Sequence, residues 1–402
     1  MIVRQFLHWV RQAPPGERAE ATSALARAYL HSDLSTDDLA AAEGAMIMLL
    51  DDPSPLVRRA MSLVFASAQK APRVVVQALA ADQFDVAQPL LESSPLLVDD
   101  DLIDLVASGK AEIQATIAGR PLLSRALAAA IAEVGSAEAC LILLENSDAC
   151  LALFSVDRIV ERFGHLAPIR ENLLERDDLP MRMRQALLSK LSKTLAGFVT
   201  ARQWLGSDHA EYATREACEK ATVALAADTP YEELGALVVH LRESGQLTAG
   251  MILRALLSGN VVLFEEALAE LSGLPIDRVT SYIHDRHISG FRALYRKAEL
   301  PDMAYPAFRE ALAALRDGVL VGEQGGAARL KRGMVERVLE ACSAMRDESM
   351  VSLVALLRRF SVEAAREEAR LFCDDLVAEG AIDAAPEPYA VAQPIEEMRL
   401  VA

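Results

Sequence analysis

The stretch that decides the fold is Asp52-Pro53-Ser54-Pro55-Leu56-Val57-Arg58-Arg59-Ala60. Its prolines stop one helix and are tolerated in the first turn of the next. An apolar residue then points inward, and the small Ala60 lets the next pair of helices approach. Degenerate copies start at Asp82, Gly109 and Asp177, and the first three copies lie about 30 residues apart, against ~40 in a usual helical repeat. The pattern therefore indicates a repeat of short helix pairs.

Short helices punctuated by Pro, Gly or Asp continue through the first two thirds of the sequence. Examples are Arg73–Ala81, Asp99–Ser108 and Ala137–Asn146. Helices of this length are marginal alone, so each must bury one face against a neighbour. No segment shows the sustained two-residue alternation of a strand. The repeat resembles HEAT repeats, and we expect an all-α, HEAT-like α-solenoid of short helix pairs with a C-terminal helical domain.

Composition and charge narrow the function classes. Of 402 residues, 52 % are hydrophobic, which is ample for a core, and the net charge is −17. So acidic a chain repels phosphate backbones, which makes nucleic acid an unfavourable partner. The five cysteines form no CxxC pair, which favours reduced and mostly buried thiols. Without a signal peptide or an apolar run near the ~18 residues of a membrane span, the sequence predicts a cytoplasmic protein.

The most specific segment of the sequence lies after residue 246. Its marks, in chain order, are Leu247-Thr248, Arg254-Ala255-Leu256, Gly259, Phe264, Leu271-Ser272-Gly273, Gly290-Phe291, Leu294 and Leu300-Pro301. Over about Leu247–Ala311 this series resembles the bacterial family called domain of unknown function 2336. The resemblance implies a helical, HEAT-like fold. It implies no activity, catalytic residue or cofactor, because the family carries none that is established.

The same segment is also typical of packed helices. Thr248 can cap a helix that runs to Leu257. A second helix should end at Gly273, because glycine is favoured just after a helix. Its apolar stripe at helical spacing consists of Leu263, Ala267, Leu268 and Leu271. We expect this stripe to be buried.

The sequence divides into five parts. We predict HEAT-like repeats over 1–200, a helical domain with the family motif over 201–317, a flexible Gly-rich loop over 318–326, C-terminal helices over 327–380, and a disordered, acidic, Pro-containing tail over 381–402. Among the C-terminal helices, Ser361 is predicted to cap a separate last helix.

One basic cluster contrasts with the acidic chain. Its members are Arg286, Arg292, Arg296 and Lys297, with Tyr295 beside them. Arg292 and Arg296 are four residues apart and so share a helix face. Arginine suits an anionic partner, which could be an acidic protein segment, a phosphorylated receiver domain or a nucleotide. The alternative is a solvated helix face with ion pairs to Glu299 or Asp302.

Other groups of residues favour structure over chemistry. His284 and His287 could share a metal ion, but a third firm ligand is missing and Arg286 opposes a cation. The Gly-rich loop 322–326 lacks a preceding strand and the Lys-Ser/Thr of a phosphate-binding loop. Acidic runs such as Asp99–Asp101 are typical of helix caps. The sequence therefore predicts no catalytic residue, metal site or cofactor.

The leading hypothesis is a non-catalytic interaction scaffold or regulatory adaptor, because stacked helical repeats build an extended surface that binds peptides or domains. We expect a protein partner, such as a signalling protein or an acidic segment. The alternatives are an enzyme, or a carrier of a small molecule or lipid, on the same scaffold. Converging buried titratable groups would favour the enzyme, a deep apolar slot the carrier, and a broad polar patch the scaffold.

Overall fold

A computed structural model of the chain describes residues 9–10, 12–285, 288–317, 328–345 and 350–383. Helix accounts for 76 % of the chain, and the described residues contain no strand. The predicted all-α class is therefore confirmed. Contacts divide the chain into two units, Met1–Thr214 and Arg215–Ala402, which are described separately below.

Short helices follow one another through the first unit. They are α1 (Pro15–His31), α2 (Thr36–Leu49), α3 (Pro55–Phe65), α4 (Arg73–Ala80), α5 (Phe84–Ser93), α6 (Asp99–Ser108), α7 (Ala111–Ala118), α8 (Arg125–Val134), α9 (Ala137–Glu145), α10 (Leu153–Phe163), α11 (Ala167–Leu174) and α12 (Met181–Ala201). The side chain of Ser35 accepts a 3.2 Å hydrogen bond from the Asp38 amide and caps α2. Pro55 stands in the first turn of α3, where proline costs no hydrogen bond.

The helices of this unit alternate between two rows. Each odd-numbered helix from α1 to α9 packs on the next odd-numbered helix, and the even-numbered helices from α6 to α10 do the same. In the even-numbered row, α2 also contacts α4, and Gln77 of α4 donates to Asp101 of α6 at 3.0 Å. Buried apolar side chains from Val10 to Leu187 form one continuous core. This is the arrangement of a helical-repeat solenoid, so the predicted fold is confirmed.

Arginine–carboxylate pairs join successive helix pairs. Asp52 of the quoted motif accepts two hydrogen bonds from Arg18, at 2.8 and 2.9 Å. Arg58 of the same motif donates to Asp82, which begins the next copy. The same two-bond arrangement recurs in Arg158–Glu133 and Arg182–Asp157. The Asp and Arg of the motif therefore connect neighbouring repeats, in addition to marking where helices end.

Helices of 9 to 33 residues make up most of the rest of the described chain. They are α13 (Ser207–Ala227), α14 (Tyr231–Glu243), α15 (Ala249–Leu257), α16 (Val261–Ser272), α17 (Ile276–His284), α18 (Ile288–Lys297), α19 (Tyr305–Arg316), α20 (Arg332–Ala344) and α21 (Val351–Asp383), with a 3-10 turn at Asp302–Ala304.

The segment with the family motif folds as its sequence predicts. The hydroxyl of Thr248 accepts a 3.1 Å hydrogen bond from the Met251 amide and caps α15. Gly273, at φ +64°, ends α16 in the left-handed conformation that glycine adopts without strain. Of the apolar stripe, Leu263, Ala267 and Leu268 are buried and Leu271 is half-buried.

The last helix differs from the prediction. Ser361 does not begin a separate helix: it lies inside α21, which runs unbroken through 33 residues. Leu357, Phe360 and Ala364 are buried on both sides of this position. Because their spacing keeps one apolar face against the core, packing overrides the weak capping signal of a serine.

Two predicted segments lie outside the described residues. They are the Gly-rich loop 318–326 and the tail 381–402, apart from the first three tail residues, which belong to α21.

Candidate functional site

The predicted cationic surface lies on α18. Arg292, Arg296 and Lys297 are exposed, and none of the three forms an ion pair with any residue that the structure describes. The guanidinium carbon of Arg292 lies 5.7 Å from the centroid of the Tyr305 ring. Arg286, the fourth predicted cation, lies outside the described residues. Three of the predicted cations are therefore available to solvent on one short helix.

Tyr295 does not belong to this surface, which corrects the sequence interpretation. Its side chain is buried among Phe291, Tyr305 and Phe308. Its hydroxyl donates a 2.7 Å hydrogen bond to the Pro301 carbonyl oxygen, and burial raises the pKa of this phenol. On α18 the residue before Arg296 points into the core, because a one-residue step along a helix turns the side chain by about 100°.

Of the predicted histidine pair, the structure describes His284. His284 Nε2 lies 2.9 Å from Glu265 Oε1, and the Thr280 hydroxyl donates to the other oxygen of the same carboxylate. His287 lies outside the described residues. The described part of the chain holds no group of three or more potential metal ligands.

Two other groups from the sequence are the acidic run Asp99–Asp101 and the Gly-rich loop 322–326. Asp101 Oδ2 accepts a 3.3 Å hydrogen bond from the Val98 amide at the start of α6. The acidic run Asp99–Asp101 forms the first turn of that helix, where carboxylates are favoured by the helix dipole. The loop 322–326 lies outside the described residues.

A second charged site lies in the second unit, between α13 and α21. It is an open cavity of about 510 Å³, within the ~300–1,000 Å³ range of ligand-binding sites. The residues that line it are Glu216, Lys220, Arg358, Arg359, Val362, Glu363, Arg366, Glu367 and Arg370. We call this site the arginine groove. Eight of its nine lining residues are charged.

A buried arginine supports one wall of the groove. Arg254 of α15 is 2 % exposed, and its Nη1 donates a 2.8 Å hydrogen bond to Glu363. Its guanidinium carbon lies 4.4 Å from the centroid of the Phe360 ring, and its Nη2 lies 3.9 Å from Glu216 Oε1. The Nε and Nη2 atoms of Arg254 have no hydrogen-bond acceptor among the described residues. The groove is therefore backed by cationic donors that no described residue satisfies.

Ion pairs hold the Glu363 carboxylate of the groove in its charged form. Lys220 contacts both Glu363, at 3.1 Å, and Glu367. Burial opposes the charge of Lys220, but these two carboxylates outweigh it and raise the pKa of the ammonium group. Burial likewise acts to raise the pKa of Glu363, yet Arg254 and Lys220 lower it on balance. Of the three lining carboxylates, Glu363 is thus paired with Arg254 and Lys220, and Glu367 is paired with Lys220.

Thr248 of the family motif contacts α13, one of the two helices that form the groove. Its hydroxyl, which also caps α15, donates a 3.1 Å hydrogen bond to Glu219 of α13. Burial raises the pKa of Glu219, and the Thr248 hydrogen bond partly offsets that effect. Thr248 therefore binds an acidic side chain of α13, the helix that supplies Glu216 and Lys220 to the groove, and Arg254 binds the lining residue Glu363.

Three arginines of the groove have no carboxylate partner among the described residues. Arg358, Arg366 and Arg370 are exposed, and none of them forms an ion pair within the part of the chain that the structure describes. Counting all lining residues, five cations face three carboxylates, a local charge of +2 in a chain of net charge −17. Guanidinium groups bind carboxylates and phosphates through paired hydrogen bonds. The groove can therefore hold an anion.

The groove was not found from the sequence because its two walls are far apart in the chain. Lys220 and Glu367 are separated by 147 residues. On α21 alone, arginines alternate with Glu363, Glu367 and Glu368 and look like an ordinary solvated face. A usable signal would have been the surplus of arginine at 358, 359, 366 and 370 over the acids between them.

Comparison with protein families identifies a family for this chain. Residues 86–347 match the family described as an uncharacterised protein conserved in bacteria, DUF2336. The chain belongs to this family. The comparison with curated proteins found no match, and neither did the comparison with solved structures.

The DUF2336 match covers one wall of the groove. It includes α13 and α15, which supply Glu216, Lys220 and Arg254, and it ends before α21, which carries the four arginines. As for membranes, no helix in the described ranges combines the length and the apolar character needed to cross a bilayer.

Proposed function

We propose that this DUF2336 protein is a non-catalytic adaptor that captures an acidic segment of a partner protein in the arginine groove. The observation that carries the proposal is the set of three arginines, Arg358, Arg366 and Arg370, that line the groove without a carboxylate partner among the described residues. A surplus of guanidinium groups on an acidic protein favours an anionic partner by charge complementarity.

The spacing of the arginines favours an extended ligand. Arg358 and Arg370 are twelve residues apart on one helix, which corresponds to about 18 Å along its axis. A compact phosphate group requires donors that converge on one point, whereas these donors form a row. An extended peptide advances about 3.3 Å per residue, so five or six residues cover the row.

The lining of the groove bears on the alternative functions. A lipid carrier needs an apolar slot, and Val362 is the one apolar residue that lines this cavity. The nine lining residues include no Ser, Cys or His that could act as a nucleophile or a general base near neutral pH. These features support recognition of a charged partner.

The cationic face of α18 is a second candidate for the same role. Arg292 and Arg296 are exposed and without an ion pair among the described residues, as an acidic partner would require. It offers three exposed cations on one short helix, whereas the arginine groove adds a recess and a buried arginine. The groove is therefore the preferred site.

The test uses fluorescence anisotropy of a short, fluorescein-labelled oligoglutamate peptide. We expect the wild-type protein to bind it with an affinity that falls as salt rises. Arg366→Glu combined with Arg370→Glu should weaken binding at least about tenfold, or roughly 1.4 kcal/mol. Arg27→Glu with Arg59→Glu changes the net charge equally on exposed residues of the first unit and serves as the matched control.

Several outcomes would contradict the proposal. Absence of binding to the peptide would do so, as would equal weakening by the groove variant and the control. Loss of binding in Arg292→Glu with Arg296→Glu, with the groove variant unaffected, would assign the role to α18. Competition by ATP but not by unlabelled oligoglutamate would indicate a nucleotide site instead.

A further inference from the structure

The segment that ends the solenoid carries positive charge and no acid. From Leu179 to Ser207 there are five cations, Arg182, Arg184, Lys190, Lys193 and Arg202, and no Asp or Glu. With 58 acidic residues in 402, a stretch of 29 residues would carry about four on average. Lys193 and Arg202 are exposed, and neither forms an ion pair with the residues described.

The same segment exposes large apolar side chains. Leu195 and Phe198 on the last turns of α12 are 47 % and 46 % exposed, and Trp204 and Leu205, which follow the helix, are 65 % and 48 % exposed. We call these four residues the α12 patch. Single exposed apolar residues are ordinary on a protein surface, but four within eleven residues, with the Phe198 and Trp204 rings in contact, favour an interaction site.

The end of α12 turns in a way that places Trp204 against Phe198. Gln203 adopts the left-handed conformation at φ +57°. The backbone amide of Trp204 donates to the Val199 carbonyl oxygen at 3.2 Å, and the backbone amide of Gln203 donates to the Thr200 carbonyl oxygen at 2.9 Å. These two hydrogen bonds form a Schellman motif at the end of the helix. The two rings meet edge to face, with centroids 5.7 Å apart.

Positive charge borders the aromatic pair. The guanidinium carbon of Arg202 lies 4.9 Å from the centroid of the Phe198 ring. Lys193 lies two residues before Leu195 and is therefore exposed on a different side of α12, and Lys190 Nζ donates to the Glu161 carbonyl oxygen. Asp208, just beyond the segment, contacts Ser207. The α12 patch is therefore an apolar surface with Arg202 at its basic border, and Lys193 adds positive charge on the same helix.

We propose that the α12 patch attaches this protein reversibly to the surface of an anionic lipid bilayer. Trp and Phe beside Leu, bordered by Lys and Arg, is the composition of segments that lie in the membrane interface. Anionic headgroups attract the basic border, and the rings enter the region between headgroups and acyl chains. The attachment is peripheral, lies in the first unit and is independent of the arginine groove.

The first test is co-sedimentation of the full-length protein with phosphatidylcholine vesicles, with and without phosphatidylglycerol. We expect sedimentation with the anionic vesicles only, and release by salt. The chain has two tryptophans, so Trp9→Phe leaves Trp204 as the single reporter. Its emission should shift to shorter wavelength when anionic vesicles are added, because the indole ring leaves water.

Variants distinguish vesicle binding by the α12 patch from non-specific binding of other exposed apolar residues. Phe198→Ala with Trp204→Ala should reduce partitioning into anionic vesicles at least about tenfold, since it removes both interfacial anchors. Leu153→Ala with Phe154→Ala is the matched control, because these residues of the same unit are 56 % and 59 % exposed, and it should bind as wild type. Lys193→Glu with Arg202→Glu should abolish the preference for anionic lipid.

The proposal is overturned if wild type does not sediment, if the patch variant sediments like the control, or if Trp204 emission does not shift. A patch-dependent dimer in size-exclusion chromatography, without vesicle binding, would assign the surface to a second copy of the chain. Arg366→Glu with Arg370→Glu should sediment as wild type, so failure of the membrane proposal and failure of the groove proposal are distinguishable.

Discussion

Arg254 Nη1 donates a 2.8 Å hydrogen bond to Glu363 Oε1 across 109 residues of chain. The arginine belongs to the Arg-Ala-Leu series of the DUF2336 motif, and the glutamate lies on the final helix, beyond the matched span. Because Phe360 also packs against the guanidinium, one buried side chain fixes α21 to the family core. The wall of the arginine groove depends on this contact.

Loss of Arg254 should therefore destabilise the second unit. Arg254→Ala leaves the half-buried Glu363 with Lys220 as its remaining cation, and breaking a buried pair in this way costs about 3–5 kcal/mol. Urea denaturation followed by circular dichroism measures the free energy of unfolding. Arg254→Lys keeps the charge but not the planar contact with Phe360, so it should restore stability only in part.

The matched control for Arg254 is an arginine with exposed partners. Arg332 pairs with Glu336 and Glu368 at the surface, and Arg332→Ala should leave the unfolding midpoint unchanged within error. If Arg254→Ala were as mild as Arg332→Ala, the buried contact would not hold α21 in place.

Acid should weaken the same contact. The pKa of Glu363 is lower in the folded protein than its ordinary value of 4.5, since Arg254 and Lys220 outweigh the effect of burial. Protonation therefore favours the unfolded chain, so the stabilisation is present above pH 4.5 and is lost as pH falls through the lower folded pKa. Wild type should lose stability over this range more steeply than Glu363→Gln. Parallel pH profiles for the two proteins would refute the assignment.

The apolar stripe of the family motif gives a prediction about the core. Leu268 is fully buried, and Leu268→Ala should lower the free energy of unfolding by about 2–5 kcal/mol through lost burial and the cavity left behind. Leu376→Ala removes the same atoms from a side chain that is 52 % exposed and should change stability little. Equal midpoints for the two variants would contradict the packing of α16.

Local signals in the sequence predicted local structure well. Asp99–Ser108 agrees with α6 at both ends, and Thr248 and Gly273 cap and end their helices as expected. These helix boundaries depend on residues within a few positions of each other, so they can be predicted from the local sequence. The solenoid follows from them, because short helices with one apolar face have few other ways to bury it.

Features set by distant residues could not be predicted in the same way. Serine at 361 favours a helix start, but α21 continues through this position because Phe360 and Ala364 are buried against other helices. Tyr295 is adjacent to Arg296 in the sequence, but its ring points to the buried side of α18. The arginine groove needs α13, α15 and α21 together, and no local pattern contains all three.

The cysteines provide the last prediction, which tests burial in both units with one reagent. Cys150 and Cys373 are exposed, whereas Cys140, Cys218 and Cys342 are buried. A thiol reacts as its thiolate, and burial raises the pKa of Cys140 to about 11, so this thiol is both shielded and protonated near neutral pH. A chromogenic thiol reagent should therefore titrate two cysteines rapidly in the native protein and all five in denaturant.

Cys150→Ser and Cys373→Ser should each remove one rapid equivalent, whereas Cys140→Ser should remove none. Rapid reaction of three or more thiols in the native state, or loss of a rapid equivalent in Cys140→Ser, would show that the packing around these residues is wrong.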